Sequence, residues 1–370
     1  MLVGVPKEIK NREYRVGLTP ASVREVVAHG HQVVVENNAG SEIGYSNDQY
    51  VNAGARILAE AQEVFASADM IVKVKEPQPI ETDMLRAGQV IFTYLHLAAD
   101  LEQTKGLMLS GAVAIAYETV TDDNGGLPLL TPMSEVAGRL SIQAGAHALE
   151  MSRGGRGVLI GGAPGVAPAT VTIIGGGVVG TNAARMAIGL GANVTIIDRS
   201  LARLRQLDDL FQGLISTAYA THERIEEEVL RSDLVIGAVL VAGTAAPKLV
   251  SRDLISRMKT GAALVDVAID QGGCFETSRP TTHEDPVYIV DGVVHYCVAN
   301  MPGAVALTST LALNNATLPH VLTIANKGWK HALKADGHLL SGLNVCKGKV
   351  TYKAVADAFG LEYTPVEKML

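Results

Sequence analysis

The sequence predicts an α/β protein of two domains, in which a central Rossmann dinucleotide-binding domain is inserted into a discontinuous, Rossmann-like α/β domain. Three observations predict this class. Short apolar runs alternate with helical patterns along most of the 370 residues. A glycine turn between a strand and a helix opens a second series of such units near mid-chain. The last part of the chain is mainly helical and too short to form a core of its own.

The first third of the chain alternates strands with helices. Strands are expected over 2–5, 33–35, 69–74, 90–94 and 112–116. Helices are expected at about 47–54, 81–87 and 100–110, and another begins at Thr19 and Pro20 and stops at Gly30. Strands separated in this way by helices imply right-handed crossovers and a parallel sheet.

A proline-containing segment over 127–132 marks the first boundary, and a long helix follows over about 133–151. The glycine-rich stretch 153–165 is interpreted as a hairpin or a mobile loop. Further strands are expected over 171–174, 193–197, 215–217, 234–237 and 263–267. Segments 288–290 and 293–296 flank Asp291-Gly292, which predicts a hairpin with a type I′ turn.

From Thr308 to about Lys334 the pattern is helical, with a break expected near Pro319, and a shorter helix is expected over 352–358. We expect this C-terminal part to pack on the first domain. The predicted boundaries are therefore 1–130 with 305–370 for the substrate domain, and 131–304 for the dinucleotide-binding domain.

The glycine turn carries a dinucleotide fingerprint in its required context. Gly175 allows the tight turn, Gly177 lets the backbone approach a pyrophosphate, and Gly180 lets helix and sheet pack closely. Asp198 ends the next strand and suits a ribose 2′-hydroxyl, which favours NAD over NADP. Nearby Arg199 and Arg203 leave the choice of nucleotide open, and a glycine turn without a ligand is the alternative.

The composition is that of a compact globular protein, with 48% hydrophobic and 19% charged residues. The net charge of −7 argues against nucleic acid or an anionic membrane as the main partner. Three scattered cysteines predict free thiols in a reducing compartment rather than a disulfide frame or a zinc site. No signal peptide or membrane-spanning run is evident, so we expect a cytoplasmic protein.

Four ionisable residues follow strand ends, where ligands of open parallel sheets bind: Arg15, Lys75, His96 and Asp270. Arg15 offers a fork for a carboxylate and Lys75 a point charge. His96 can move a proton near neutral pH, and Asp270 can orient water or stabilise a cation. Together they suggest hydride transfer at a carbon that bears a carboxylate.

Simpler interpretations exist for each residue. His96, flanked by leucines, could be a satisfied core histidine, and Lys75 could extend to water along its apolar stem. Arg15 and Asp270 could be members of surface ion pairs.

Several segments together resemble the alanine dehydrogenase family. They are KEIKNREYRV at 7–16, KVKEP at 73–77, LHLAA at 95–99, MSEVAGR at 133–139, DVAIDQGGCFE at 266–276 and VANMP at 298–302. The resemblance runs from the first strand to about Pro319 and weakens over the last part of the chain.

The resemblance implies reversible oxidative deamination of L-alanine to pyruvate and ammonium with NAD, by a cytoplasmic homohexamer. It implies that Arg15 and Lys75 bind the substrate and that His96 and Asp270 form the acid/base pair. It places NAD, besides the fingerprint glycines, against Ser134, Val178, Val179, Asp198, Arg203, Val239, Leu240, Val267, Ala268, Ile269, Asp270, Arg279, Val298, Ala299, Asn300 and Met301.

Two positions depart from the family pattern. Ala220 stands where some members have a nucleotide-contacting serine. Lys327 stands where a histidine can join Glu118 at a divalent-metal site, so we expect no metal.

Three alternatives stay open. The nucleotide-binding subunit of a proton-translocating transhydrogenase is related in sequence, but it needs no carboxylate clamp or acid/base histidine. A non-catalytic NAD-binding sensor would have no use for four ionisable groups at strand ends. A dehydrogenase of a larger amino acid, such as saccharopine, would differ only in pocket volume, which Tyr94, Leu129 and Met133 could restrict.

Overall fold

The computed structural model describes residues 1–239 and 246–370, which form two compact units. The first unit comprises Met1–Met133 and Val305–Leu370, and the second comprises Ser134–Ala304. The predicted α/β class, with one discontinuous domain, is confirmed. Which unit binds which ligand remains a prediction at this level. Within the described ranges, no helix combines the length and the apolar character that a bilayer span requires.

The strands are β1 (Leu2–Val5), β2 (Gln32–Glu36), β3 (Arg56–Leu58), β4 (Met70–Val72), β5 (Val90–Thr93), β6 (Val113–Ala116), β7 (Thr170–Ile174), β8 (Asn193–Asp198), β9 (Ser216–Tyr219), β10 (Leu234–Gly237), β11 (Ala263–Asp266), β12 (Val287–Val290), β13 (Val293–Tyr296), β14 (Leu343–Cys346) and β15 (Lys349–Val350).

The α-helices are α1 (Pro20–Ala28), α2 (Asn47–Asn52), α3 (Ala61–Ser67), α4 (Pro79–Met84), α5 (Leu101–Ser110), α6 (Thr131–Ala148), α7 (Val178–Gly189), α8 (Leu201–Phe211), α9 (His222–Arg231), α10 (Arg252–Ser256), α11 (Ala306–Lys327), α12 (Trp329–Ala335), α13 (Gly337–Leu340) and α14 (Lys353–Phe359). Short 3₁₀ helices cover Ser41–Ile43, Leu97–Ala99, Tyr117–Thr119, Met151–Arg153, Ile269–Gln271, Met301–Val305 and Val366–Met369.

The first unit is built on an eight-stranded sheet in the order β15-β14-β6-β5-β4-β1-β2-β3. The six strands from β6 to β3 are parallel, while β14 runs antiparallel to β6 and β15 antiparallel to β14. Ile71, Ile91 and Val345 are fully buried in the core cluster on this sheet. The C-terminal segment thus completes the sheet that the first third of the chain begins.

The second unit has a seven-stranded sheet in the order β12-β13-β11-β10-β7-β8-β9. All neighbours are parallel except the hairpin β12–β13. Asp291 and Gly292 both have positive φ, 50° and 78°, so the predicted type I′ turn is confirmed. In the glycine-rich stretch, Ala163 and Val166 form an isolated antiparallel bridge around a tight turn.

The predicted break near Pro319 is wrong. Helix α11 continues through Pro319 to Lys327, and the chain changes direction at Gly328, which has a φ of 72°. Proline removes one helical hydrogen bond, but α11 buries residues on both sides of it, including Leu313 and Val321. Tertiary packing of that face outweighs the local loss.

Several short elements have no counterpart in the sequence prediction. They are β3, α3, α13, β14 and β15. Strands of two to four residues are too short to show an alternating pattern. Strand β3 forms on the open edge of β2 and β14 on that of β6, and β15 then pairs with β14.

Candidate active site

His96 lies in the loop after β5, in the left-handed backbone conformation (φ 50°, ψ 37°). For a residue other than glycine this costs about 1–2 kcal/mol. The Glu118 carboxylate accepts the amide hydrogen of His96 at 2.6 Å and that of Leu95 at 3.2 Å, and so holds the loop in place. The imidazole stacks on the ring of Tyr94 with centroids 5.7 Å apart, and Nδ1 lies 3.9 Å from Glu118 Oε1. The side chain is 47% exposed, so interpretation as a core histidine is wrong.

Arg15 follows β1 and is buried, not part of a surface ion pair. Its Nε and Nη2 donate to the two carboxylate oxygens of Glu13 at 2.7 and 2.6 Å, and Nη1 lies 3.1 Å from Met133 Sδ. Burial lowers the pKa of Arg15, but the hydrogen bonds and charge of Glu13 outweigh it and the pKa lies above its ordinary value. The fork on Glu13 fixes the plane of a permanently charged guanidinium.

Lys75 lies three residues beyond β4. Its side chain is only 14% exposed, and its Nζ is 3.7 Å from Glu76 Oε2. The hydroxyl of Thr93 donates to the Lys75 carbonyl at 2.9 Å. This lysine therefore does not simply extend into bulk water, and its charge is held near the end of the strand.

The three loops follow neighbouring strands of the first sheet. Strand β4 pairs in parallel with β1 on one side and with β5 on the other. Because the carboxyl ends of parallel strands share an edge, the loops that carry Arg15, Lys75 and His96 all leave the sheet at that edge. Two cations and a half-exposed imidazole can grip a carboxylate and move a proton beside it.

In the second unit, the glycine turn after β7 begins α7, and each glycine has its own steric reason. A Cβ on Gly180 would lie 1.9 Å from the carbonyl oxygen of Gly175, so only glycine lets the helix approach the strand. Gly175 has a φ of 105°. A Cβ on Gly177 would meet nothing within 4 Å. The turn thus leaves open space against backbone amides at a helix N-terminus, which fits a bound pyrophosphate.

Asp198 ends β8 and supports this turn directly. Its Oδ2 accepts the amide hydrogen of Gly176 at 2.8 Å. Arg203 donates from Nε to the Gly176 carbonyl at 2.6 Å, from Nη2 to Thr181 Oγ1 at 2.7 Å and from Nη1 to Gln206 Oε1 at 2.9 Å. The guanidinium is thereby engaged in bracing the turn, which weakens the case for Arg203 as a 2′-phosphate ligand.

Asp270 is exposed on the 3₁₀ helix Ile269–Gln271, just after β11. The buried carboxylate of Asp266 organises this loop. It accepts the amide hydrogens of Ala268 at 3.1 Å and Cys274 at 2.9 Å, and the Ser278 hydroxyl at 2.5 Å. Burial raises the pKa of Asp266, while these hydrogen bonds oppose that rise.

The other predicted nucleotide contacts lie largely at the same edge of the second sheet. Val178 and Val179 form the first turn of α7, Val239 follows β10, Val267–Ile269 follow β11, and Val298–Met301 follow β13. Ser134 lies in the first turns of α6. The Arg279 guanidinium lies 4.1 Å from the centroid of the Tyr288 ring. Leu240 lies outside the described residues.

The sequence prediction missed the carboxylates that hold these groups, namely Glu13, Glu118 and Asp266. Asp266 gave a signal, since it is an acid at the end of an otherwise apolar strand. Glu118 gave none, because it lies 22 residues from His96, and Glu13, two residues from Arg15, carried no mark that sets it apart from a surface acid. Across residues 1–239 and 246–370, no three His, Cys, Asp or Glu side chains are grouped to hold a metal ion.

Comparison with known proteins adds to this geometry. The family model described as alanine dehydrogenase/PNT, C-terminal domain, matches residues 141–353, and that for the N-terminal domain matches residues 4–137. The alanine dehydrogenase of Halomonas elongata is 61% identical over 370 residues, and that of Methanococcus maripaludis is 55% identical over 371 residues. Both alignments cover 100% of this chain and of the relative.

Solved structures agree in fold. An L-alanine dehydrogenase superposes with a TM-score of 0.95 at 54% identity, covering 97% of this chain and 99% of that one. A transhydrogenase from Sinorhizobium meliloti superposes with a TM-score of 0.81 at 24% identity, covering 96% and 100%. The second likeness shows the fold alone.

Proposed function

Because the chain belongs to the alanine dehydrogenase/PNT family, we propose that Arg15, Lys75, His96 and Asp270 carry its reaction. The reaction is the reversible, NAD-dependent oxidative deamination of L-alanine to pyruvate and ammonium. The observation that supports the residue assignment is that the loops carrying Arg15, Lys75 and the half-exposed His96 follow three neighbouring parallel strands.

Arg15 and Lys75 hold the acid end of the substrate. The Arg15 guanidinium is fixed by Glu13 and keeps its charge although it is buried, so its field at the site is not weakened by bulk water. Lys75 adds a point charge that reaches the carboxylate or the keto oxygen. Both groups are oriented before substrate arrives, which lowers the entropic cost of binding.

His96 moves the protons. Alanine reacts with its amine neutral, and loss of hydride from Cα leaves an iminium ion. His96 removes a proton from the water that attacks this carbon and returns it to the nitrogen of the resulting carbinolamine. It then takes the hydroxyl proton as ammonia leaves and the keto group forms. Asp270 positions that water and stabilises the cation. The stacked Tyr94 ring and the Glu118 carboxylate hold the imidazole for both steps.

The second unit fits NAD. The open space at Gly177 and the α7 N-terminus would hold the pyrophosphate, and Asp198 would bind a ribose hydroxyl. Bound NAD supplies the acceptor for the hydride from Cα.

The residues around Arg15 favour a small substrate. Tyr94, Leu129 and Met133 are all buried, the Tyr94 hydroxyl donates to the Leu129 carbonyl at 2.6 Å, and Met133 Sδ contacts the guanidinium. These bulky groups argue against a saccharopine-sized amino acid. The clamp and His96 argue against a transhydrogenase and against a non-catalytic sensor.

We further propose that the protein is a cytoplasmic homohexamer, as the resemblance to the family implies. Apolar side chains exposed on the second unit support self-association. Met151 is 75%, Leu159 70% and Val166 64% exposed. All three cysteines are free and buried, which suits a reducing compartment.

The test mixes protein, NAD and L-alanine at alkaline pH and follows absorbance of NADH. We expect NADH formation from NAD and L-alanine, much slower reduction when NADP replaces NAD, and no reduction of NAD when saccharopine replaces L-alanine. NADH formation that does not depend on L-alanine, or its absence under all conditions, would contradict the proposal.

A further inference from the structure

Lys73, at the end of β4, is completely removed from solvent. Its Nζ lies 3.0 Å from Glu8 Oε2 and 2.7 Å from Glu81 Oε1, and both carboxylates are also buried. We call these three residues the Lys73 triad. Burial lowers the pKa of Lys73, but the two carboxylates outweigh it and raise the pKa above its ordinary value. The triad therefore holds a buried ammonium ion between two acids.

Stability alone does not explain such a cluster. Taking ions out of water is costly, and their mutual attraction often only offsets that cost, so apolar side chains of similar volume would do as well. A buried ionic cluster does, however, fix geometry, because each member has only a few satisfactory positions.

The contacts of the second carboxylate oxygen of Glu8 show which geometry the cluster fixes. Glu8 Oε1 accepts the amide hydrogen of Val74 at 2.7 Å and is 3.4 Å from the amide nitrogen of Lys75. The hydroxyl of Tyr117 donates to the Lys73 carbonyl at 3.0 Å from the opposite side. Glu8 thus holds the backbone of the segment 73–75 while its other oxygen is held by Lys73.

Glu8 also lies in the loop after β1, the same loop that carries Arg15. One side chain therefore joins the loop of one proposed substrate ligand to the backbone of the other. Glu81 differs in this respect. Its Oε2 accepts the amide hydrogen of Gln78 at 2.8 Å, at the N-cap of α4, rather than an amide of the segment 73–75.

We propose that Glu8 is a positioning residue for the substrate clamp: it sets the place of Lys75 relative to Arg15, with Lys73 as its internal counter-ion. The part of this inference that concerns substrate rests on the function proposed above. The part that concerns the backbone of Val74 and Lys75 does not.

The experiment compares Glu8→Ala with Glu81→Ala. Both variants remove one carboxylate from Lys73 and leave it one partner, so both should lower the melting temperature. Only Glu8→Ala also removes the acceptor of the Val74 and Lys75 amides. Two readouts are taken: amide hydrogen exchange of the peptide covering 73–77, and steady-state kinetics with L-alanine and NAD.

For Glu8→Ala we expect faster exchange in that peptide and a KM for L-alanine raised about tenfold or more, since small misplacement of a clamp is costly. The dissociation constant of NAD should stay unchanged. For Glu81→Ala we expect exchange of this peptide and the KM for L-alanine to stay close to wild type. Glu8→Gln should restore much of the KM, because its amide oxygen can still accept from Val74.

If Glu8→Ala does not fold, Glu8→Asp replaces it, since the shorter side chain keeps a charge for Lys73 but withdraws the oxygen from Val74. Unchanged exchange in the Glu8 variant would overturn the proposal, as would an equal rise in KM in the Glu81 variant. A wild-type protein that does not oxidise L-alanine would overturn the proposed function instead. The exchange data would still decide the positioning role.

Discussion

At the scale of single residues, several groups at the proposed site are held by carboxylates to which the sequence prediction gave no supporting role. Glu118 holds the backbone of His96, Glu13 the guanidinium of Arg15, and Asp198 the amide of Gly176. The residues proposed to act on a ligand follow strand ends, so the position of polar residues after apolar strands is enough to find them. Glu118 comes from another loop and Asp198 from another strand, whereas Glu13 lies two residues from Arg15, and each of them orients the group that it holds.

Replacing His96 with Ala should lower kcat by about 10²–10⁴-fold, because the proton acceptor and donor is lost. The dissociation constant of NAD should hardly change, since His96 belongs to the first unit and the glycine turn to the second. Stopped-flow kinetics and NAD titration measure the two quantities. The exposed His222, replaced in the same way, serves as the control. Full activity of the His96 variant would remove this residue from the mechanism.

At the scale of elements, the fingerprint is a packing device as well as a binding site. Helix α7 can begin directly after β7 only because Gly180 has no side chain, whereas Gly177 faces open space. The same short motif therefore contains one glycine required by the fold and one that we propose the ligand requires. Sequence alone cannot separate these two demands, since both produce glycine.

Gly180→Ala and Gly177→Ala should separate them. A methyl group at Gly180 collides with the Gly175 carbonyl, so we expect destabilisation of about 1–3 kcal/mol or more, together with loss of NAD binding. Gly177→Ala should change stability by less than about 1 kcal/mol, because the position is an N-cap with ordinary φ. It should raise the dissociation constant of NAD at least about tenfold, which corresponds to roughly 1.4 kcal/mol.

Thermal unfolding measures the stability of both variants, and NAD titration measures their affinity for NAD. Equal stability losses would mean that the turn tolerates no side chain anywhere. Unchanged NAD affinity in Gly177→Ala would place the pyrophosphate elsewhere.

At the scale of the whole molecule, buried histidines link stability to pH. Burial lowers the pKa of His295 and of His320 below the ordinary value of 6.5. His295 is fully buried, with Nδ1 2.9 Å from the Val293 carbonyl and Nε2 2.7 Å from Thr277 Oγ1. The charge of Asp291 raises the pKa of His295, and the charge of Arg279 lowers it further. In the folded state both imidazoles stay neutral at a pH where the unfolded chain is protonated.

The unfolding free energy should therefore fall as pH is lowered through 6.5 towards the folded pKa values, since the unfolded chain then binds more protons. Each histidine contributes at most about 1.4 kcal/mol per pH unit in that window. Urea unfolding at pH 7.5 and 5.5 measures the change, and His295→Gln should reduce it. An identical pH dependence in wild type and variant would show that His295 does not contribute.

The sequence by itself determined the class of the fold, and it predicted a nucleotide site and four strand-end residues. These follow from local signals: hydrophobic period, glycine spacing and the position of polar residues after apolar runs. Asp291-Gly292 and the strand Leu234–Gly237 were predictable for the same reason, because their conformations depend on neighbours in the chain.

Only the tertiary structure decided the rest. Pro319 remains inside helix α11 because residues before and after it in that helix are buried. The short strand Leu343–Cys346 exists because it can pair with the edge of β6. The pairing of Glu8 with Lys73 joins side chains 65 positions apart in the chain. Such contacts depend on which surfaces meet when the sheet forms, and burial then makes them strong. A local sequence pattern does not indicate which distant residues come into contact.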